Sequence, residues 1–241
     1  MSKDNRIAVL IDADNVSDKY IKYILDEVSN DGTATYKRIY GDWTKPVLGS
    51  WKNVLLDNSI IPVQQYGYTT GKNATDSAMI IDAMDILYSG NVDGFCIVSS
   101  DSDFTRLAAR LRESGMLVLG MGEKKTPTAF ISACNKFKYL EILAQPAETV
   151  SATQRRTEEM TPLETVKNAV LSIMDEISDE DEWVSISEIG SRLNKRYPDF
   201  DVRNYGFRKL TPFIKSLGIL DIRSVPVNEG NSRLVYVKVR S

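Results

Sequence analysis

Five aspartates at the ends of apolar segments could together bind a metal ion. They lie after the first, third and fourth apolar runs of the chain: Asp12, Asp14, Asp76, Asp101 and Asp103. Clustered carboxylates raise one another's pKa because their negative charges repel. A bound divalent cation offsets this repulsion. Mg²⁺ takes oxygen ligands and keeps several waters, so it can activate a water for attack on phosphorus and neutralise the leaving oxygen. These residue types indicate metal-assisted hydrolysis of a phosphate ester, with Mg²⁺ or Mn²⁺ as the cofactor.

Polar side chains next to these aspartates could contact the substrate. Asn15 belongs to the first group and is suited to holding a phosphate or a metal-bound water. The hydroxyls of Ser99 and Ser100, together with backbone amides at the start of the following helix, could hold phosphate oxygens. Lys72 lies on a glycine-containing loop ahead of Asp76, where it could meet a phosphate or simply face solvent.

Each aspartate also has a simpler interpretation. A single Asp after a strand is usually a helix cap, so Asp14 and Asp103 could be N-caps. Asp76, at the start of a predicted helix, could instead interact with the helix dipole. The joint placement of the aspartates after three strands favours a metal site. The case for Asp82 and Asp85 is weaker, because Asp82 lies about 120° around the helix from Asp76 and could support the site or be solvated.

The composition excludes several classes of chemistry and of protein. The chain contains no histidine, which removes imidazole as a general base and excludes zinc hydrolase sites built on His. Its two cysteines, Cys96 and Cys134, are interpreted as reduced core thiols and cannot build a thiolate metal cluster. No segment approaches the roughly 20 apolar residues of a membrane helix, and the first apolar run is too short for a secretory signal. We therefore expect a cytoplasmic protein with no membrane partner.

An alternation of strands and helices through about residue 143 would position the aspartates. Apolar runs predict five strands, at residues 7–11, 34–40, 60–66, 94–98 and 116–121. Apolar residues at helical spacing predict helices after each strand, at residues 17–29, 46–56, 75–89, 104–114 and 127–134. Buried strands joined by helices form a parallel sheet with helices on both faces, a Rossmann-like α/β fold. The aspartates would then converge at the edge where the strands end.

A second unit follows a segment without apolar periodicity. We interpret residues 1–143 as the first domain, 144–161 as a flexible linker and 162–241 as the second domain. The second domain is predicted to contain helices at 163–177, 187–197 and 204–217, an extended piece at 184–186, and strands at 219–222 and 234–239. Three helices followed by a hairpin is the plan of a small winged helix-turn-helix domain.

The charge of the chain is unevenly distributed. Its net charge is −3, but residues 192–240 contain eleven Lys and Arg against four Asp and Glu. The cations on or beside the predicted third helix and the wing are Arg203, Arg208, Lys209, Lys215, Arg223, Arg233 and Lys238. Clustered cations favour contact with nucleic-acid phosphates, although any single one could be an ordinary solvated residue. Arg203, Arg208 and Lys209 are the candidate substrate-binding residues of this domain.

Three segments of the first domain together carry a resemblance to a known family. They are Ile-Ala-Val-Leu-Ile-Asp-Ala-Asp-Asn at residues 7–15, Lys72 ahead of Asp76 and Asp82, and Val-Ser-Ser-Asp-Ser-Asp-Phe at residues 98–104. Over roughly residues 5–143 the chain resembles the NYN family of PIN-like nucleases, in its LabA-like bacterial branch. The ordered set is fairly specific, although each segment alone is weak.

The NYN resemblance implies a PIN-like fold and metal-dependent ribonuclease activity. The acidic site of the family maps onto four aspartates that would be catalytic and metal-binding: Asp12, Asp76, Asp101 and Asp103. Asn15 lies beside this set. Asp82 matches a second acidic position on the family's helix, which adds to the geometric case for this residue.

The second domain also resembles a family. The matching segments lie at residues 183–190, 193–201 and 205–210, and they resemble the OST-HTH or LOTUS domain over about residues 160–240. That family implies a winged helix associated with RNA binding and, in some members, with protein partners. The two resemblances agree, because one domain would hold RNA while the other cuts it, and linking them raises the local substrate concentration. A protein partner or a homo-oligomer formed through this domain stays open.

Two other functions fit part of this pattern. An Asp-x-Asp motif after a buried strand, as at Asp12 and Asp14, also suits haloacid-dehalogenase-type phosphatases, in which the first aspartate is the nucleophile. A winged helix has no place in such an enzyme. A non-catalytic RNA-binding scaffold with a degenerate nuclease fold would contain the same two domains. The presence of the acids needed for chemistry favours the metal-dependent endoribonuclease.

Overall fold

The apolar runs of the first domain assemble into a parallel sheet. The computed structural model describes residues 4–66, 74–145, 160–177, 183–226 and 233–240. The chain divides into two compact units, Met1–Gln145 and Pro146–Ser241. The strands of the first unit are β1 Arg6–Asp12, β2 Thr33–Gly41, β3 Ile61–Gln64, β4 Gly94–Val98, β5 Leu117–Gly122 and β6 Lys136–Tyr139. All neighbouring pairs are parallel, in the order β3-β2-β1-β4-β5-β6.

Helices cover both faces of this sheet. They are α1 Ile21–Val28, α2 Trp51–Asp57, α3 Ala74–Ser89, α4 Thr105–Glu113, α5 Thr128–Ala133 and α6 Leu140–Leu143. Right-handed crossovers place α1 and α2 on one face and α3, α4 and α5 on the other. As a result, β4 is buried along its whole length and β1 is buried from Ile7 onward. The predicted class, a Rossmann-like PIN-type parallel sheet with helices on both faces, is confirmed.

The described sheet has one strand more than the five that the apolar runs predict. In β6, Phe137 and Tyr139 are buried while Lys136 and Lys138 are partly exposed. This alternation is typical of an edge strand, and the interleaved lysines interrupt the apolar run that would otherwise mark it. Lys136 forms an ion pair with Asp31, so the charged face of the strand is also held in place.

The strand order reverses direction at β1. From β1 the chain moves outward through β2 to β3, and it then crosses back to β4 on the other side of β1. The loops that follow β1 and β4 therefore diverge and leave a crevice at the carboxyl edge of the sheet. The helix α3, which connects β3 to β4, begins at the same edge because it runs antiparallel to the strands.

The second unit is built around a small antiparallel sheet. Its elements are α7 Leu163–Ile177, β7 Val184–Ser185, α8 Ile186–Arg196, α9 Leu210–Ser216, β8 Leu220–Pro226 and β9 Arg233–Val239, with the strands in the order β7-β9-β8. Phe213 of α9 is fully buried and packs against the rings of Phe200, Tyr205 and Phe207. The predicted winged helix-turn-helix plan is confirmed.

The third helix of this unit differs from the prediction for residues 204–217. A 3-10 turn spans Val202–Tyr205, and α9 begins only at Leu210. Asp201 caps the turn by accepting a hydrogen bond from the backbone N–H of Arg203 at 2.9 Å. Gly206 then takes a left-handed conformation, with φ of 85°. A helix cannot continue through that conformation, so the segment breaks into a turn and a shorter helix.

Thr161, which the sequence places at the end of the linker, is anchored into the second unit. Its backbone N–H and its hydroxyl donate hydrogen bonds to the carboxylate of Asp199 at 2.9 and 2.7 Å. Its carbonyl accepts a hydrogen bond from the hydroxyl of Tyr205 at 2.8 Å. The two bonds from Thr161 satisfy the carboxylate of Asp199, which is buried ahead of α9. Among the described residues, no helix is both long enough and apolar enough to cross a membrane.

Candidate active site

Three carboxylates converge at the carboxyl edge of the first unit. Asp76 lies in the first turn of α3, and Asp101 and Asp103 follow β4. Each offers one oxygen atom, and these atoms all lie within 4.8 Å of one another. Neighbouring oxygens bound to one Mg²⁺ at about 2.1 Å from the ion lie about 3 Å apart. The group could hold a single divalent cation once its carboxylates draw closer together around the ion.

The loop after β4 has a fixed conformation. Asp101 is the N-cap of a 3-10 turn at Ser102–Phe104, and its Oδ1 accepts a hydrogen bond from the backbone N–H of Asp103 at 2.9 Å. The ring of Phe104 is fully buried beneath this turn. The capping residue is thus Asp101, rather than Asp103 as the simpler interpretation of the sequence predicts. Capping sets the direction of the Asp101 carboxylate.

Asp12 is not among the three carboxylates whose oxygen atoms lie within 4.8 Å of one another. Its side chain is fully buried. Its Oδ2 accepts hydrogen bonds from Asn15 Nδ2 at 2.7 Å and Ser99 Oγ at 2.8 Å, and its Oδ1 accepts one from the backbone N–H of Asp14 at 3.0 Å. Burial raises the pKa of Asp12, although these hydrogen bonds oppose the shift. Asp12 therefore organises the residues around it.

This burial also bears on the phosphatase alternative. A nucleophilic aspartate must present an oxygen to the substrate, whereas the carboxylate of Asp12 is fully buried and accepts three hydrogen bonds. Asp14, the second residue of that motif, accepts hydrogen bonds from Lys45 Nζ at 3.4 Å and Thr75 Oγ1 at 3.2 Å. It is not a helix cap. The geometry argues against a phosphoenzyme mechanism at Asp12.

The two serines after β4 have roles that differ from the predicted phosphate contacts. The hydroxyl of Ser99 donates to Asp12 and accepts from the backbone N–H of Asp101 at 3.1 Å. The hydroxyl of Ser100 accepts from the backbone N–H of Glu123 at 2.8 Å. Both side chains are buried, so a phosphate cannot reach Ser99 without displacing these bonds. Ser99 instead ties the end of β1 to the end of β4.

Asp76 is electrostatically strained by its surroundings. Its pKa is raised to about 6, first by partial burial and then by the charges of Asp12, Asp101, Asp103 and Asp14. A carboxylate with a raised pKa carries its negative charge at a cost near neutral pH. A divalent cation at this position would offset that cost.

Comparison with known families identifies both domains. Residues 6–141, more than half of the chain, match the NYN domain. The chain belongs to the NYN family. NYN domains are PIN-like nuclease domains. Residues 161–231 match the OST-HTH/LOTUS domain, a family that binds RNA, so the chain joins a nuclease-type domain to an RNA-binding one.

A protein of unknown function from Vibrio parahaemolyticus aligns with 58% of this chain and 94% of its own, at 19% sequence identity and a TM-score of 0.47. No curated protein matches the chain.

Asp82 of the NYN domain is not among the three converging carboxylates. Its carboxylate forms an ion pair with Arg38 and accepts a hydrogen bond from the hydroxyl of Tyr40, both on β2. Burial and the charge of Asp82 together raise the pKa of Tyr40, so this tyrosine is a neutral donor. Asp82 therefore fastens α3 to the sheet, six residues after Asp76.

The remaining predicted contact residues are distributed over both domains. Lys72 lies outside the described residues. In the OST-HTH/LOTUS domain, Arg203 forms a bidentate ion pair with Asp201, with Nε–Oδ1 and Nη2–Oδ2 distances of 3.0 and 2.7 Å. Arg208 and Lys209 are exposed immediately before α9. These two cations are better placed than Arg203 to meet a phosphate.

Sequence analysis missed two residues at the edge of the site, Lys45 and Thr75. Both contact Asp14, and Thr75 directly precedes Asp76. Lys45 lies four residues past the end of β2, which is also a carboxyl end in a parallel sheet. That placement was a usable signal, because any polar residue soon after such a strand lies near this edge.

Proposed function

We propose that this protein is a metal-dependent endoribonuclease whose NYN domain hydrolyses RNA phosphodiester bonds. The convergence of Asp76, Asp101 and Asp103 within 4.8 Å carries the proposal. Membership of the NYN family and the attached OST-HTH/LOTUS domain support RNA as the substrate. The cofactor is Mg²⁺ or Mn²⁺.

The donor set suits such a cation. All three side chains are carboxylates, and the chain has no histidine that would favour zinc. Both cysteines are buried and unoxidised, and burial raises the pKa of each thiol. Hard oxygen donors without nitrogen or sulfur are typical of magnesium and manganese sites.

The residues of the NYN domain have separate tasks in this mechanism. Asp76, Asp101 and Asp103 would hold the cation, which when bound lowers the pKa of a coordinated water and stabilises negative charge on the phosphate. Asp12 receives hydrogen bonds from Asn15 and Ser99 and so fixes the ends of β1 and β4. This keeps the carboxylates in place before the substrate arrives, which avoids reorganisation during the reaction.

Chelation and removal of one carboxylate test the enzymatic part of the proposal. We expect Mn²⁺-dependent cleavage of labelled RNA by the wild type, and no cleavage in excess EDTA. Asp101→Asn should lower cleavage by at least about 100-fold, since metal assistance contributes several kcal/mol and about 1.4 kcal/mol is a factor of ten. If EDTA leaves cleavage unchanged, the metal mechanism is wrong. If the wild type binds RNA but is as inert as the variant, the protein is a scaffold.

The OST-HTH/LOTUS domain should bind RNA mainly through phosphate contacts. Replacing Arg208 and Lys209 together by glutamine is expected to weaken binding to RNA of any sequence. It should also reduce the dependence of the Kd on salt concentration by about one phosphate contact for each residue replaced. Lys167→Gln, on α7, is the matched control. The measurement is fluorescence anisotropy with labelled RNA in EDTA at several salt concentrations. Equal affinities for the double variant and the control would place the RNA-binding surface elsewhere.

A further inference from the structure

The segment that follows β2 is built into the edge of the candidate active site. We call residues Asp42–Lys45 the β2 loop. Asp42 Oδ1 accepts hydrogen bonds from the backbone N–H and the hydroxyl of Thr44, at 3.2 and 2.6 Å. The indole Nε1 of Trp43 donates to the backbone carbonyl of Val63 at 3.1 Å. The loop is therefore held in one conformation.

The end of β3 is bonded to this loop. Gln64 donates from Nε2 to Asp42 Oδ1 at 2.9 Å, and its Oε1 accepts from the backbone N–H of Trp43 at 3.0 Å. The backbone N–H of Gln65 donates to the carbonyl of Gly41 at 3.0 Å. The next residue is Tyr66, which is 51% exposed. An exposed aromatic residue thus directly follows the hydrogen-bonded unit that contains the cation-bearing loop.

Lys45 connects this unit to the carboxylates. Its Nζ lies 3.4 Å from Asp14 Oδ1, and Asp14 Oδ2 accepts a hydrogen bond from Thr75, the neighbour of Asp76. The side chain of Lys45 is 50% exposed and that of Asp14 is 35% exposed. A solvent-exposed ion pair of this kind contributes little to stability, so an RNA phosphate can replace Asp14 as the partner of Lys45 at small cost.

We propose that the β2 loop and the end of β3 bind the RNA strand beside the scissile phosphate, with Lys45 holding a neighbouring phosphate and Tyr66 stacking on a base. This inference rests on the proposed function. The combination of a cation that contacts the backbone and an exposed aromatic ring binds unpaired nucleic acid, because every base has a face on which a ring can stack. The contact therefore requires an unpaired nucleotide on this side of the site.

The test uses two variants and two matched controls in the full chain. The variants are Lys45→Gln and Tyr66→Ala. The controls remove a cation and an aromatic ring at the opposite edge of the sheet: Arg110→Gln in the last turn of α4 and Tyr88→Ala in the last turn of α3, a residue that is 74% exposed. All four carry Arg208→Gln and Lys209→Gln, so that binding by the second domain is weakened equally.

Binding of a labelled eight-nucleotide single-stranded RNA is measured in EDTA, where cleavage does not interfere. We expect Lys45→Gln to raise the Kd about fivefold and to reduce the salt slope by about 0.7, the value for one phosphate contact on a single strand. Tyr66→Ala should raise the Kd about tenfold for single-stranded RNA and leave duplex RNA unaffected. The controls should stay within twofold of the parent.

Two results overturn the inference. Either both variants bind like their controls, or Tyr66→Ala weakens duplex and single-stranded RNA equally. Cleavage of RNA in Mn²⁺ is measured separately with the wild-type protein. If the wild type cleaves RNA but Lys45→Gln and Tyr66→Ala bind like their controls, only this inference is wrong. If the wild type does not cleave RNA, the proposed function is wrong.

Discussion

Replacing Asp76 by asparagine will make the metal-free protein more stable at pH 7.5 and will abolish metal-dependent cleavage of RNA. The pKa of Asp76 is raised to about 6 by partial burial and by the four neighbouring aspartates. Because the folded-state pKa lies above the unfolded value, this group costs stability progressively as the pH rises from about 4 through 6, and the full cost is present at pH 7.5. Asparagine removes the charge and therefore the cost.

The expected stability gain of Asp76→Asn is about 1 kcal/mol, because solvent partly screens this half-exposed carboxylate. Cleavage should fall by at least about 100-fold, and Mn²⁺ should no longer raise the melting temperature. Chemical denaturation in EDTA at pH 5 and pH 7.5 measures the first effect. Asp85→Asn, an exposed position on the same helix, is the control and should change neither property. A variant that is destabilised in EDTA at pH 7.5, or that still binds Mn²⁺ like the wild type, would contradict this interpretation.

The second large effect is expected at Gly122, the last residue of β5. A Cβ atom at this position would lie 2.5 Å from Thr126 Oγ1 and 2.6 Å from the backbone carbonyl oxygen of Ser99. Backbone must move to relieve such a contact, and Ser99 is the residue that joins Asp12 to the loop of Asp101. Gly122→Ala should therefore lower the free energy of unfolding by about 3 kcal/mol.

The same substitution should also affect the candidate site. We expect cleavage to fall at least about tenfold at a temperature where the variant remains folded, because small displacements of reacting groups are costly. Gly49→Ala is the control, since a Cβ there meets no atom within 4 Å. Urea denaturation and cleavage assays compare the two variants. Equal stability of Gly122→Ala and Gly49→Ala would show that the end of β4 tolerates displacement, contrary to the role given to Ser99.

Much of the fold and the position of the site could be predicted because both follow from regular patterns. Continuous apolar runs predict buried parallel strands, and the carboxyl ends of such strands share one edge. That reasoning places Asp76 near Asp101 and Asp103 from sequence alone. The same reasoning fails at β6, where Lys136 and Lys138 alternate with the buried rings and conceal the strand.

The roles of individual side chains could not be predicted, because they depend on depth and direction. Asp12 and Asp101 both lie at the carboxyl ends of buried strands, yet Asp12 is fully buried and Asp101 is only partly buried. Asp82 is directed to Arg38 and Tyr40, residues more than forty positions earlier in the chain. Ser99 carries a hydroxyl, a group that often binds phosphate. Only its burial shows that this hydroxyl instead holds Asp12 and the loop of Asp101 in place. The periodicity of apolar residues predicts which residues lie at the edge of a sheet. It does not predict the orientation of each side chain at that edge.

The position of a bound Mn²⁺ ion tests the central claim most directly. Anomalous diffraction from a crystal soaked in Mn²⁺ should show a peak bonded to oxygens of Asp76, Asp101 and Asp103, at about 2.1 to 2.3 Å. Asp12 should remain beneath the ion, still accepting hydrogen bonds from Asn15 and Ser99. A well-ordered site that shows no manganese among these three carboxylates, or carboxylates that point away from one another, would contradict the account.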